Sequence, residues 1–176
     1  VLDAITELYM EEHPYQTVVI DTLDWLERMI FAEICCRKEV ENIEDIGFAR
    51  GYIYALDLWR EVLAGLGALR DKKQMMIILL AHYKIEKFDN PAGDSYNYFS
   101  PQIHKHASVI IQQWCDEVLF ATYKVNTKQT EEGFKRKKTL GIGDGTRVIK
   151  TTERPYHLAK NRLNLPDEIE LDWNVY

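Results

Sequence analysis

Apolar positions along the chain recur at helical spacing in some stretches and collect into short unbroken runs in others, and this contrast predicts the elements. Leu2, Ile5, Leu8 and Tyr9 keep helical spacing until His13-Pro14 ends the helix. The run 17–21 (TVVID) is β-branched and closes on an aspartate. It predicts a strand buried on both faces, as in a parallel sheet. Thr22 is placed to cap the next helix, with Leu23, Leu26, Met29, Ile30 and Ile34 expected on its inner face. Residues 37–46 are charged and weakly patterned, and read as a loop. Phe48, Tyr52, Ala55, Leu56, Trp59, Leu63, Leu66 and Leu69 then mark a long amphipathic helix, and 75–81 (MMIILLA) a second buried strand. Two such strands separated by helices imply right-handed crossovers and an α/β layer.

The second half is patterned differently. Residues 83–102 hold a Pro-Ala-Gly-Asp cluster and the aromatics Tyr96, Tyr98 and Phe99, and read as a long functional loop. Ile103, Ala107, Ile110, Ile111 and Trp114 predict a further helix. Residues 118–121 and 147–152 read as strands of a C-terminal hairpin, with the glycine-rich 141–145 (GIGDG) as its turn. Residues 157–163 read as a last extended segment. No internal repeat is present.

Composition narrows the class. The chain has 176 residues, 46% apolar and 28% charged, which suits one domain (1–166) followed by an acidic tail (167–176) and excludes global disorder. No apolar run approaches the roughly 18 residues of a membrane span, and no signal-peptide pattern opens the sequence. Three cysteines, Cys35, Cys36 and Cys115, fit neither a disulfide framework nor a zinc site, so reduced thiols are expected. The net charge of −6 argues against nucleic acid until it is divided along the chain. Residues 1–81 hold 15 acids and 8 bases, 82–166 hold 9 acids and 14 bases, and 167–176 hold 4 acids and no base. The basic second half points to a localised anionic partner.

Several constellations can carry chemistry. Asp21, followed by Thr22, closes a core strand; phosphoryl-transfer sites use a carboxylate there to hold Mg²⁺, though a helix-capping Asp looks the same in sequence. His82 closes the second strand and would face the same crevice, where it meets a terminal phosphate or is simply a satisfied strand-end histidine. Lys84, Lys87, Tyr96, Tyr98, Phe99 and Lys105 interleave cations with aromatics, a pattern suited to single-stranded nucleic acid. His104 and His106 have no cysteine or acidic cluster beside them and are not read as zinc ligands. Lys160 and Arg162, two apart in an extended segment, either converge on one anion or guard a strand edge. The run 135–138 (KRKK) is a solvated basic arm or a nucleic-acid contact.

Together these segments resemble the RecA-like P-loop ATPases encoded by bacteriophages, a family linked to single-strand annealing and recombination. The resemblance is carried by 15–24 (YQTVVIDTLD), 77–82 (IILLAH), 96–114, 116–121 (DEVLFA) and 159–166 (AKNRLNLP), in the expected order. It implies a mostly parallel sheet flanked by helices, with Asp21 as the Walker B aspartate acting on Mg²⁺ and His82 as the polar phosphate sensor. The 83–102 loop would bind DNA, and Lys160 and Arg162 would reach a neighbouring subunit's nucleotide in a ring or filament with ATP between subunits. The setting implied is the cytoplasm of a bacterial host. No Gly-x-x-x-x-Gly-Lys-Ser/Thr loop lies within 1–176. The family's phosphate loop and catalytic glutamate are therefore expected upstream of Val1, and residues 1–176 alone are expected to bind ATP poorly and not to turn it over. The alternative is a non-catalytic oligomerising or DNA-binding module that has lost nucleotide chemistry.

Overall fold

Helix α1 (Leu2–Met10) leads into strand β1 (Thr17–Asp21), helix α2 (Leu23–Lys38), a 3-10 turn (Ile43–Asp45), the long helix α3 (Arg50–Lys73) and strand β2 (Met76–Leu80) in this computed structural model. Strands β3 (Tyr83–Phe88) and β4 (Tyr96–Pro101), helix α4 (Lys105–Trp114) and strands β5 (Glu117–Val118), β6 (Phe120–Glu131), β7 (Lys137–Lys150), β8 (Lys160–Asn161) and β9 (Glu168–Glu170) follow. The structure describes residues 1–91, 93–131 and 137–176, with 125–131 and 137–144 described as backbone. The architecture is mixed α/β with small sheets. It divides into two units, Val1–Lys84 with Ser100–Trp114, and Ile85–Phe99 with Cys115–Tyr176.

The core of the first unit follows from the periodicity of α3. Leu58, Trp59, Val62, Leu63, Leu66 and Leu69 form its buried stripe, against which Ile5 of α1, Leu26, Ile30 and Ile34 of α2, and Ala107 and Ile111 of α4 are also buried. On α2 the inner face differs from expectation. Met29 is 56% exposed, while Asp24 and Glu27 are buried. Residues 37–46 are not a simple loop: α2 runs to Lys38, and Asn42 and Asp45 close a capping box around the 3-10 turn. Gly51 lies so close to that turn that a Cβ would fall 2.5 Å from both the Ile43 side chain and its carbonyl oxygen. Gly51→Ala is expected to lower stability by about 1–3 kcal/mol in urea unfolding, since neither neighbour yields freely; a wild-type midpoint would refute the contact.

Strands β1 and β2 pair in parallel, with Val19 opposite Ile78 and Asp21 opposite Leu80. The expectation of burial on both faces is corrected. Burial alternates along β1, and Val19 is 50% exposed. The pair forms a two-stranded sheet, so helices within this unit cover one face only. The mostly parallel sheet is corrected with it, because the β5–β8, β6–β7 and β7–β9 pairings are antiparallel.

In the second unit, β6 and β7 form a long ladder in which Gly141, Ile142 and Gly143 pair with Thr127, Asn126 and Val125. The glycine-rich 141–145 therefore lies inside a strand beside an irregularity at Tyr123/Val125 rather than at a turn, as suits glycine at a bulge. The basic run 135–138 falls partly outside the described residues. Residues 83–102, read as a loop, instead supply β3 and β4, hydrogen-bonded neighbours. The aromatic alternation that suggested base stacking is also a strand pattern. The segment 167–176 contributes β9, whose Ile169 is buried opposite Ile149 while Glu168 pairs with Lys150 and Lys124. Among the described residues no helix is long and apolar enough to cross a membrane.

Candidate functional site

The parallel register sets the site. Because Asp21 is level with Leu80, the chain leaves both strands at the same end, and His82 follows two residues later. Asp21 is exposed at the tip of β1 and Thr22 is buried just beyond it, across a cis peptide bond. The His82 side chain is 65% exposed, yet one edge of its ring is held. Nδ1 lies 3.1 Å from Oδ2 and 3.2 Å from Oδ1 of Asp24, and the His82 backbone N–H donates to Asp24 Oδ1 at 3.2 Å.

Asp24 sits in the first turn of α2, where the helix dipole favours negative charge. Burial alone would raise its pKa. The nearby Thr22 hydroxyl, the His82 ring and the His82 N–H outweigh that effect and hold the carboxyl at about 2. The Thr22 hydroxyl is buried and meets no hydrogen-bond partner at normal geometry among the described residues. Asp24 is thus an ionised acceptor that fixes the proton of His82 on Nδ1 and presents Nε2 outward.

One helical turn on, Glu27 accepts the His104 backbone N–H at 2.9 Å on both oxygens, capping the start of α4. Its burial raises its pKa against the opposing influence of the His104 N–H and of Lys84. The His104 ring stacks on Tyr52 at 4.4 Å, and burial followed by repulsion from His106 lowers its pKa. Asp24 and Glu27 were missed by the sequence reading. Their signal was two carboxylates three apart on the apolar face of a helix that follows a strand-end aspartate.

The other candidates are distributed over both units. In the first, the Lys84 ammonium donates to the Ile103 carbonyl at 3.0 Å, and Lys105 is exposed at the start of α4. In the second, Lys87 faces Asp89 at 3.5 Å, and the Tyr98 hydroxyl donates to Glu86 at 3.1 Å. Tyr96 and Tyr98 share one face of β4 and both lie near Phe88, whereas Phe99 points the opposite way and stacks on Phe120 at 5.1 Å. The three aromatics therefore do not form one stacking surface. Lys160 donates to the Cys115 carbonyl, and Arg162, beyond the end of β8, pairs with Asp116 at 2.9 Å.

The donor set suits one kind of metal. No cluster of three or more His, Cys, Asp or Glu side chains able to hold an ion occurs among the described residues. Mg²⁺ at phosphate sites needs only one or two carboxylates, with phosphate and water completing its shell, so exposed Asp21 fits that role. Asp24, already engaged, does not. A family model described as AAA domain matches residues 1–163. No curated protein and no solved structure matches.

Proposed function

The chain belongs to the AAA domain family, whose members are nucleotide-binding, ATPase-like domains, and we propose that it forms the metal-holding and phosphate-sensing part of a RecA-like ATPase acting on single-stranded DNA in phage recombination and annealing, within the bacterial cytoplasm. The observation that carries this reading is the parallel β1–β2 pair, which brings Asp21 and His82 to adjacent strand ends. Ligands of α/β sheets gather there.

In this reading Asp21 would hold Mg²⁺, which when bound would neutralise the charge on the phosphates of ATP, the phosphoryl donor. Asp21, as the Walker B aspartate, offers its carboxylate to the metal directly or through water, and Thr22 fixes the turn that aims it. With its proton held on Nδ1, His82 offers Nε2 as an acceptor to the attacking water; only a doubly protonated ring would donate from Nε2 to a terminal phosphate oxygen. Asp24 touches neither; it is a positioning residue that sets the tautomer and angle of the His82 ring.

Lys160 and Arg162 act toward a neighbouring subunit's nucleotide in a ring or filament. An exposed pair such as Arg162–Asp116 contributes about 1 kcal/mol or less, so a multiply charged phosphate displaces Asp116. Replacing Lys160 and Arg162 by Ala is expected to leave the protomer folded and to abolish nucleotide-dependent assembly in light scattering; unchanged assembly refutes the interfacial role. Lys84, Lys87 and Lys105 serve the strand's phosphates, and Tyr96 and Tyr98 its bases.

The deciding experiment is ATP turnover by the full-length gene product with and without single-stranded DNA. Turnover is expected to rise with the strand, and the stimulation to fade steeply with salt as released counterions lose their drive. Turnover indifferent to DNA removes the nucleic-acid role. Strand binding without turnover leaves the non-catalytic binding module.

A further inference from the structure

In the second unit a cavity of about 390 Å³ opens between two unlike walls. One wall is aromatic. Tyr96 and Tyr98 alternate along β4, and Phe88 at the end of β3 meets Tyr96 at 5.2 Å and Tyr98 edge-on at 6.1 Å. The Tyr98 hydroxyl is tied to Glu86, which fixes that ring. The other wall is the turn from which Glu153, Arg154, Pro155, His157 and Leu158 line the cavity, one acid and one base among them. Arg154 and His157 exchange backbone hydrogen bonds at 3.2 and 3.1 Å, and the Phe99 N–H donates to the Tyr156 carbonyl at 2.8 Å. The walls are therefore joined through backbone, and the cavity is formed before any ligand enters.

His157 gives the cavity its chemistry. It is 1% exposed, with Phe120 stacked on its ring at 5.1 Å. Nε2 lies 3.2 Å from the Thr152 carbonyl oxygen, which can only accept, so Nε2 carries the proton. Burial, the largest influence, lowers the ring's pKa and keeps it neutral near pH 7. Nδ1 is then a bare acceptor, buried and without a hydrogen-bond partner among the described residues. Buried polar atoms are nearly always paired in folded proteins, so an unpaired one on a residue that lines a cavity points to a donor brought by a ligand.

A purely apolar ligand would leave Nδ1 unmet, and a small polar ion would leave the three rings unmet. A flat heteroaromatic ring with an N–H on its edge satisfies both. We infer that this cavity is a nucleobase pocket, in which one base stacks among Phe88, Tyr96 and Tyr98 and donates an N–H to Nδ1 of His157. Arg154, paired with Asp167 at 2.9 Å, also lines the cavity and is the cation there that a sugar-phosphate would meet. The inference rests on the nucleotide and DNA reading for the source of the base. The shared chemistry is the base itself, whether from a free nucleotide or from a strand.

Calorimetric titration of the full chain with adenosine, ATP, an oligo-dA strand and an abasic strand of equal length separates these sources. Oligo-dA is expected to bind roughly 5- to 150-fold more tightly than the abasic strand if a strand supplies the base, as stacking of one base predicts. Adenosine or ATP binding, with the two strands alike, instead names a free nucleotide as the source and equally supports the pocket. In either case Tyr96→Ala, a half-buried change that spares the fold, is expected to weaken the base-bearing ligand by at least about fivefold. The ¹⁵N resonance of His157 Nδ1 is expected to shift on binding, a readout that needs no variant. If no base-bearing probe binds, or if binding moves neither with Tyr96→Ala nor at Nδ1, the pocket is overturned. Adenosine binding with neither strand bound would sink the DNA reading and leave the pocket standing; strands bound equally well, with no adenosine or ATP binding, would do the reverse.

Discussion

Asp21→Ala is expected to lower ATP turnover in the full-length protein by roughly a thousandfold, because a divalent ion stabilises transition-state charge at phosphoryl centres by several kcal/mol. Asp21 is exposed at the end of β1 and lies outside the buried stripe of α3, so its loss leaves packing intact. Surface changes of this kind stay within about 0.5 kcal/mol of stability. Turnover and thermal unfolding measured together therefore separate a chemical defect from a structural one. A variant with the wild-type unfolding temperature and near-wild-type turnover would remove Asp21 from the site and the Walker B reading with it.

Asp24→Asn is the second large effect, and it acts on stability as well as chemistry. The Asp24 carboxyl is held at about 2 against an ordinary 3.8, a difference that corresponds to about 2 kcal/mol favouring the folded state at neutral pH. Since the folded pKa is depressed, this stabilisation is fully present above about pH 4 and disappears as pH falls toward 2. Urea unfolding is expected to place Asp24→Asn about 2 kcal/mol below wild type at pH 7, with the gap closing through that acid window. Glu27→Gln is expected to move in the opposite direction at pH 7. Burial raises the Glu27 pKa, so its charged form opposes folding, and the amide keeps an oxygen for the His104 N–H. A pH-independent gap for Asp24→Asn, or two variants of the same sign, would contradict the electrostatic account. With His82 released, turnover is also expected to fall while ATP affinity changes little, the signature of a positioning residue.

Much of the first unit was legible in sequence. Strand β1 was read to the residue, and β2, α1, α3 and α4 within a few, because the strands are short apolar runs and the helices carry a strong local period. Asp21 and His82 were legible as candidates because each follows a short apolar run at a strand end, a pattern that ordinary strand-to-helix turns share. The second unit was harder to read. Residues 83–102 have turn residues in their middle and aromatics at the end, and only the pairing of β3 with β4 distinguishes two strands from one loop. Glycines at 141–145 suit a turn or a bulge equally well, and the choice depends on which residues across the ladder oppose them.

By itself the sequence determined where most helices and the two core strands of the first unit form and which polar groups follow those strands, because local pattern and strand-end chemistry need no partner segment. Tertiary structure alone decided three things. It turned Asp24 and Glu27 inward, fixing the proton of His82 and the start of α4, since burial depends on what packs against a helix. It separated Phe99 from Tyr96 and Tyr98, since strand alternation assigns faces only once a strand exists. It left Nδ1 of His157 buried without a partner among the described residues, on a side chain that lines an aromatic cavity, since such pairing is a property of the packed whole and of no segment within it.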